Sequence, residues 1–296
     1  MATNNATNTS NPIAIAQGGT NASSMATNNG IVYFDATRLV TAAALTNGQL
    51  LIGSTSNAPS AGTITAGTAI AITNASGSIT VNTSPAGFQV FTTNGTFTTP
   101  STTISATVFK FTVIGAGGGG GGTGASSNAG TTGGGPGGAG GIALYWVSGL
   151  SASLACTVTV SNVGGTAGAN TGGTGGTGGN SSVVVSATTV TANGGVGGGG
   201  ANAAGVLGQP GAGGTATNGS INITGSTANP YNTSAIVTLF TTQNGADSMF
   251  GFGGAGVGNS AAGKAGTGYG AGGSGSKGVS QAGGAGSPGL IIVEYW

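Results

Sequence analysis

The sequence predicts an all-β protein: a β-sandwich whose glycine-rich tracts pack as polyglycine II helices, preceded by a thin β-rich N-terminal segment. Three observations carry this. Short runs rich in Val, Ile, Phe, Thr and Tyr recur along the 296 residues, separated by Gly, Asn, Ser and Pro. Glycine makes up 67 residues, gathered into tracts with no hydrophobic periodicity at 115–141, 164–179, 193–219 and 251–289. Four basic and three acidic residues are the only charges, there is no histidine, and mean hydropathy is +0.24. Disordered chains pair low hydrophobicity with high net charge, so this chain is expected to fold.

The composition changes near residue 86, which gives two expected domains, 1–85 and 86–296. The opening "MATNNATNTSNP" reads as a polar tail without a basic or apolar leader. After it come "GIVYFDATRLVT" (30–41) and the short strand-like pieces "QLLIGS", "GTITAG", "TAIAITN" and "SITVNT". Their large apolar residues are too few to close a core. The segment is therefore expected to complete itself by pairing with other copies of the chain.

The second domain has more to bury. Strands are expected at 88–93, 95–100, 106–115, 141–149, 154–161, 180–193 and 289–296. In "VFKFTVIG", Phe109, Phe111 and Val113 fall on one face, and Val108, Lys110, Thr112 and Ile114 on the other. The closing "LIIVEYW" is too apolar for a loose tail and should pair near the middle of a sheet. The single cysteine, Cys156 in "LACTVTV", excludes an internal disulfide and reads as a buried small hydrophobe.

Between those strands, "FTVIGAGGGGGGTG" (111–124) passes from strand directly into six consecutive glycines. Four long structureless loops in one domain would be unusual. A glycine chain in the polyproline II conformation turns once per three residues and points every N–H and C=O outward. Several such chains side by side can satisfy one another, provided no side chain holds them apart. The few prolines exclude a collagen triple helix.

Several function classes are excluded or left without material. Lys110, Lys264, Lys277 and Arg38 are scattered, so no basic patch exists for phosphate contacts with nucleic acid. No run approaches the apolar length of a membrane span. Without histidine there is neither a Ser–His pair nor a histidine metal ligand, so no catalytic residue, metal or cofactor is expected. The interruption "STANPYNTSAIVTLFTTQNGADSMFGF" (226–252) has two readings: a further strand pair, or a loop whose aromatics bind a target surface. On the second reading Tyr231, Phe240, Asp247, Phe250 and Phe252, with Tyr269, form a receptor-binding site for sugar rings or a surface-protein epitope.

"GTFTTP" (95–100), "VIGAGGGGGG" (113–122) and "GGAGSPGLIIVEYW" (283–296) together resemble the glycine-rich domains of bacteriophage tail-fibre and adhesin proteins. The resemblance covers roughly residues 88–296. Upstream, "IAQGGTNASS" (15–24) is similar to the Q-G-G-T-G-A motif of phage fibres, with Asn21 where glycine is usual, and 45–81 resembles their repeat-like segments. The resemblance implies a homotrimeric tail fibre, in the virion or extracellular. It would bind a host surface glycan or surface protein and join other tail proteins through its N-terminus. The alternative is a subunit that polymerises into an extracellular filament, its N-terminal strands augmenting a neighbour's sheet edge.

Overall fold

A computed structural model describes residues 19, 28–55, 57–67, 69–127, 130–229, 241–258 and 260–296. The described residues contain strands, turns and irregular segments and no helix, so the protein is all-β. The chain divides into two compact units, Met1–Thr83 and Ser84–Trp296.

The described residues of the first unit form three antiparallel hairpins: β1 (Gly30–Phe34) with β2 (Leu39–Ala44), β3 (Gln49–Ser54) with β4 (Asn57–Thr63), and β5 (Ile70–Ala75) with β6 (Ser78–Thr83). The first turn is built by Asp35, whose Oδ1 accepts from Thr37 Oγ1 at 2.7 Å and from the N–H groups of Thr37 and Arg38. These bonds, the Thr37 hydroxyl first, hold the Asp35 carboxyl at a pKa of about 2. Phe34 and Val81 stay 56% and 55% exposed, and no large apolar residue is buried among the described residues of this unit. The strand expected at 62–67 forms earlier, at Asn57–Thr63, and includes Pro59. A two-stranded sheet has only edges, where a proline without an N–H is tolerated.

The second unit has two five-stranded sheets. One runs β15 (Ile221–Ile223), β10 (Ile142–Ser148), β9 (Val108–Ile114), β16 (Leu290–Tyr295), β7 (Gly87–Phe91). The other runs β14 (Ala216–Thr217), β13 (Thr188–Ala192), β12 (Ser181–Val185), β11 (Ala155–Thr159), β8 (Gly95–Thr98). Every neighbouring pair is antiparallel. The closing strand β16 is paired on both sides. Alternate residues from both sheets share one core: Phe91, Phe109, Phe111, Val113, Ile291 and Val293 from the first, and Phe97, Cys156, Val158, Val183 and Val190 from the second. Phe97 stands edge-on to both Phe109 and Phe111, at ring separations of 6.0 Å. The apolar surroundings push the Cys156 thiol pKa up.

Beyond Ile114 the chain enters the glycine tracts, and the hydrogen bonds change to a period of three. Gly115, Gly118 and Gly121 donate to the carbonyls of Gly141, Gly138 and Gly135. Ala116, Gly119 and Gly122 donate to Gly179, Gly176 and Gly173, and Gly117, Gly120 and Thr123 to Ser287, Gly284 and Gln281. These bonds measure 2.8–3.0 Å. The carbonyls face three further segments: Gly117 and Gly120 accept from Gly165 and Gly168, Ala116 and Gly119 from Gly195 and Gly198, and Gly118 and Gly121 from Gly273 and Ser276. Segment 115–123 thus bonds to six neighbours. Donated bonds meet partners in descending order and accepted bonds in ascending order, so antiparallel and parallel neighbours are mixed.

The close approach requires glycine here. A Cβ on Gly120 would overlap the Ser274 carbonyl, and one on Gly119 the Thr166 carbonyl. Buried hydroxyls within the tracts are also bonded: Ser276 Oγ donates to Gln281 O at 2.9 Å, and Ser287 Oγ accepts from Ala271 N–H at 2.7 Å. The interruption 226–252 forms no strand pair in its described part. Its residues 241–252 make isolated bridges, Ser248 with Gly251 and Phe250 with Tyr269.

Gly120→Ala lowers the stability of the second unit by about 1–3 kcal/mol, because the chains must move apart. Gly258→Ala, where nothing lies within 4 Å of an added Cβ, changes it by less than about 0.5 kcal/mol; urea denaturation compares the two. Phe97→Ala costs about 3–5 kcal/mol by the same measurement, since the ring lies between both sheets.

Candidate functional site

The tract following Ala246 returns over the outer face of the first sheet as a tight turn. Asp247 begins it: the exposed carboxylate accepts from the Gly253 N–H through Oδ1 at 2.7 Å. Ser248 Oγ donates to the Tyr269 carbonyl, and the Phe250 carbonyl accepts from the Tyr269 N–H at 3.0 Å, which ties the turn to segment 267–270. Tyr269 then packs on Ile114, Ile142 and Leu290, the row of the outer face nearest the glycine tracts. The turn is thereby anchored at one end, and Met249 and Phe250 stand over the sheet at the other.

Beneath them lies a cleft of about 410 Å³ lined by Lys110, Thr112, Leu144, Met249, Phe250, Ile292 and Glu294. The strand register explains its floor. Core-facing residues alternate with outward ones, so Lys110 of β9 and Glu294 of β16 are direct cross-strand partners on the outer face. Lys110 Nζ donates to Glu294 Oε2 at 2.7 Å. The same row continues on both sides: Trp146 of β10 pairs with Lys110, and Phe88 of β7 with Glu294. The order across four strands is therefore aromatic, ammonium, carboxylate, aromatic, with Trp146 half-buried and Phe88 74% exposed.

Of the residues expected to form a binding site, the structure brings Phe250, Asp247 and Tyr269 together in this turn. Phe250 walls the cleft at 41% exposure, Asp247 fixes the turn, and Tyr269 anchors it to the sheet. Phe252 lies on the same turn and is 76% exposed. Tyr231 and Phe240 fall outside the described residues. Lys110, Trp146, Glu294 and Phe88 were not expected at the site. The alternation in "VFKFTVIG" puts Lys110 on the outward face, but which residues stand beside it depends on strand order and register.

The arrangement sets a paired ammonium and carboxylate beside apolar side chains. The cleft lining carries one carboxylate, Glu294, paired with the Lys110 ammonium, and among the described residues no group of acidic or cysteine side chains is placed to hold a metal. No helix among the described residues is long and apolar enough to cross a membrane. In comparisons with known proteins, no family model matches the chain and no curated protein is significantly similar to it.

The geometry makes Cys156 a probe of the fold beneath the site. Fully buried, with its thiol pKa raised by desolvation, it should resist a thiol reagent in the native protein at pH 8 and react once the protein is unfolded.

Proposed function

We propose that the chain is a non-enzymatic fibre or adhesin protein of the bacteriophage tail-fibre type, which assembles as a homotrimer and attaches to a host cell surface. On this reading the two sheets form a β-sandwich, the glycine tracts are stacked polyglycine II helices, and the protein works in the virion tail or outside the cell. The observation that carries the proposal is the contrast between the two units. Among the described residues the first forms two-stranded hairpins with exposed Phe34, Val81, Leu50 and Ile52. Isolated two-stranded hairpins are marginal in water, so copies of the chain supply one another's missing layer. The second carries a mesh of backbone bonds in which glycines such as Gly117 through Gly122 have no room for a Cβ. That combination suits a chain that multimerises through one unit and is stiffened by main-chain bonds in the other. Other tail proteins engage it through the N-terminal unit.

The attachment surface on this reading is the turn 247–252 with Tyr269, because exposed Phe250 and Phe252 beside the cleft offer apolar area to a glycan or surface protein. The filament alternative draws on the same exposed hairpins and differs in what they build.

Light scattering and electron microscopy of the purified full chain test the assembly: discrete trimers are expected. Monomers at micromolar concentration would overturn the proposal, and filaments that grow without limit would replace it with the polymer. Phe250→Ala combined with Phe252→Ala is expected to abolish attachment to host cells without lowering the melting temperature. Unchanged adsorption would remove the turn from the attachment surface.

A further inference from the structure

The geometry points to a specific ligand class for the cleft: a neutral oligosaccharide laid across the strands of the outer sheet face. The inference rests on the attachment reading for the biological origin of the sugar, but its chemistry comes from the row Trp146, Lys110, Glu294, Phe88.

Charge comes first. Lys110 and Glu294 are two of the seven charged residues in the chain, and they cancel each other within the cleft. A phosphate, a sialic acid or an acidic peptide would meet a carboxylate as close as the ammonium. An uncharged ligand meets no such conflict. The pair is nevertheless polar and accessible, its two side chains being 27% and 42% exposed. An ammonium carries three N–H donors and a carboxylate about four lone-pair sites, and the ion pair uses one of each. A donor and an acceptor 2.7 Å apart match adjacent hydroxyls on a sugar ring, one accepting from Lys110 Nζ and the other donating to Glu294. Bonds of this charge-assisted kind are stronger than those between neutral groups.

The surroundings supply the other half of sugar chemistry. Pyranose rings have C–H faces that stack on aromatic side chains. Trp146 and Phe88 stand at the two ends of the row, three strand spacings or roughly 14 Å apart, and Phe250 of the turn lines the cleft that holds the middle pair. The cleft volume of about 410 Å³ lies in the range of small-molecule sites. Met249 and Phe250 line the cleft beside the ion pair, a concave setting that favours a slender chain over a flat protein surface. A second copy of this chain is the competing occupant, and the experiment separates the two.

The test uses the full chain, titrated with maltose, cellobiose, lactose and mannobiose, and with N-acetylneuraminic acid as the charged control. Tryptophan fluorescence and saturation-transfer NMR report binding. At least one neutral disaccharide is expected to bind saturably, with the charged sugar at least about tenfold weaker. Glu294→Gln, which keeps shape and removes charge, and Trp146→Phe, which keeps a ring, should each weaken binding by about tenfold or more. Native melting curves and unchanged assembly size should accompany both. The inference is overturned if no neutral sugar saturates by about 50 mM, far above a millimolar site, or if both variants bind as the wild type does. It is also overturned if Glu294→Gln or Phe88→Ala changes the assembly size, since the face is then occupied by another copy. Adherence to host cells without sugar binding defeats this inference and leaves the attachment reading standing. Loss of both defeats both.

Discussion

The backbone hydrogen bonds between neighbouring glycine segments are the interaction on which the second unit depends. In an ordinary domain, side chains fill the interior and the main chain is satisfied within sheets. Here the strands are a minority of the unit, and in the glycine tracts between them the interior is largely main chain. Each residue from Gly115 to Thr123 donates to a different segment from the residue before it, and repeats the direction three residues later. Ordering one backbone costs about 1–2 kcal/mol, while one net hydrogen bond returns about 0.5–1.5 kcal/mol. The two nearly cancel, so cohesion requires that almost every bond be made and that close packing add dispersion. That requirement explains why a carbonyl lies where a Cβ would stand at Gly117 through Gly122.

The constraint reaches the sheet surface. The turn at Ser248–Phe252 is held by Tyr269, and Tyr269 by the last outward row of β9, β10 and β16, immediately before those strands meet the glycine segments. The cleft therefore has one wall that is sheet and another that is a glycine-tract turn. Its geometry is only as fixed as the tracts. Because the chain has so few charges, the Lys110–Glu294 pair gains weight as a recognition feature rather than as a source of stability; a part-exposed ion pair contributes only about 0–1 kcal/mol.

Much of the strand pattern was legible in the sequence. Period-two alternation placed Phe109, Phe111 and Val113 on one face, the face that the structure buries between the sheets, and turn residues separated β5 from β6. The strand expected at 62–67 was displaced because hairpin pairing with β3 drew in Pro59, which punctuation rules read as a break. The order of the tracts was less accessible. A period of three says that glycine segments can bond in several directions, but which six surround 115–123 is a matter of three-dimensional register. The site shows the same division: Phe250, Phe252 and Tyr269 stand out as aromatics among glycines, whereas Trp146 and Glu294 lie in strands that read as ordinary sheet and become neighbours of Lys110 only through pairing.

Amide hydrogen–deuterium exchange resolved to residues 115–124, 133–141 and 193–201 tests the central claim most directly. Bonded amides there, such as those of Gly118, Gly121 and Gly198, should exchange as slowly as those of β9 and β16, over hours at neutral pH. Exchange complete within seconds in these segments, alongside a protected β9, would contradict the account and leave the glycines as loops.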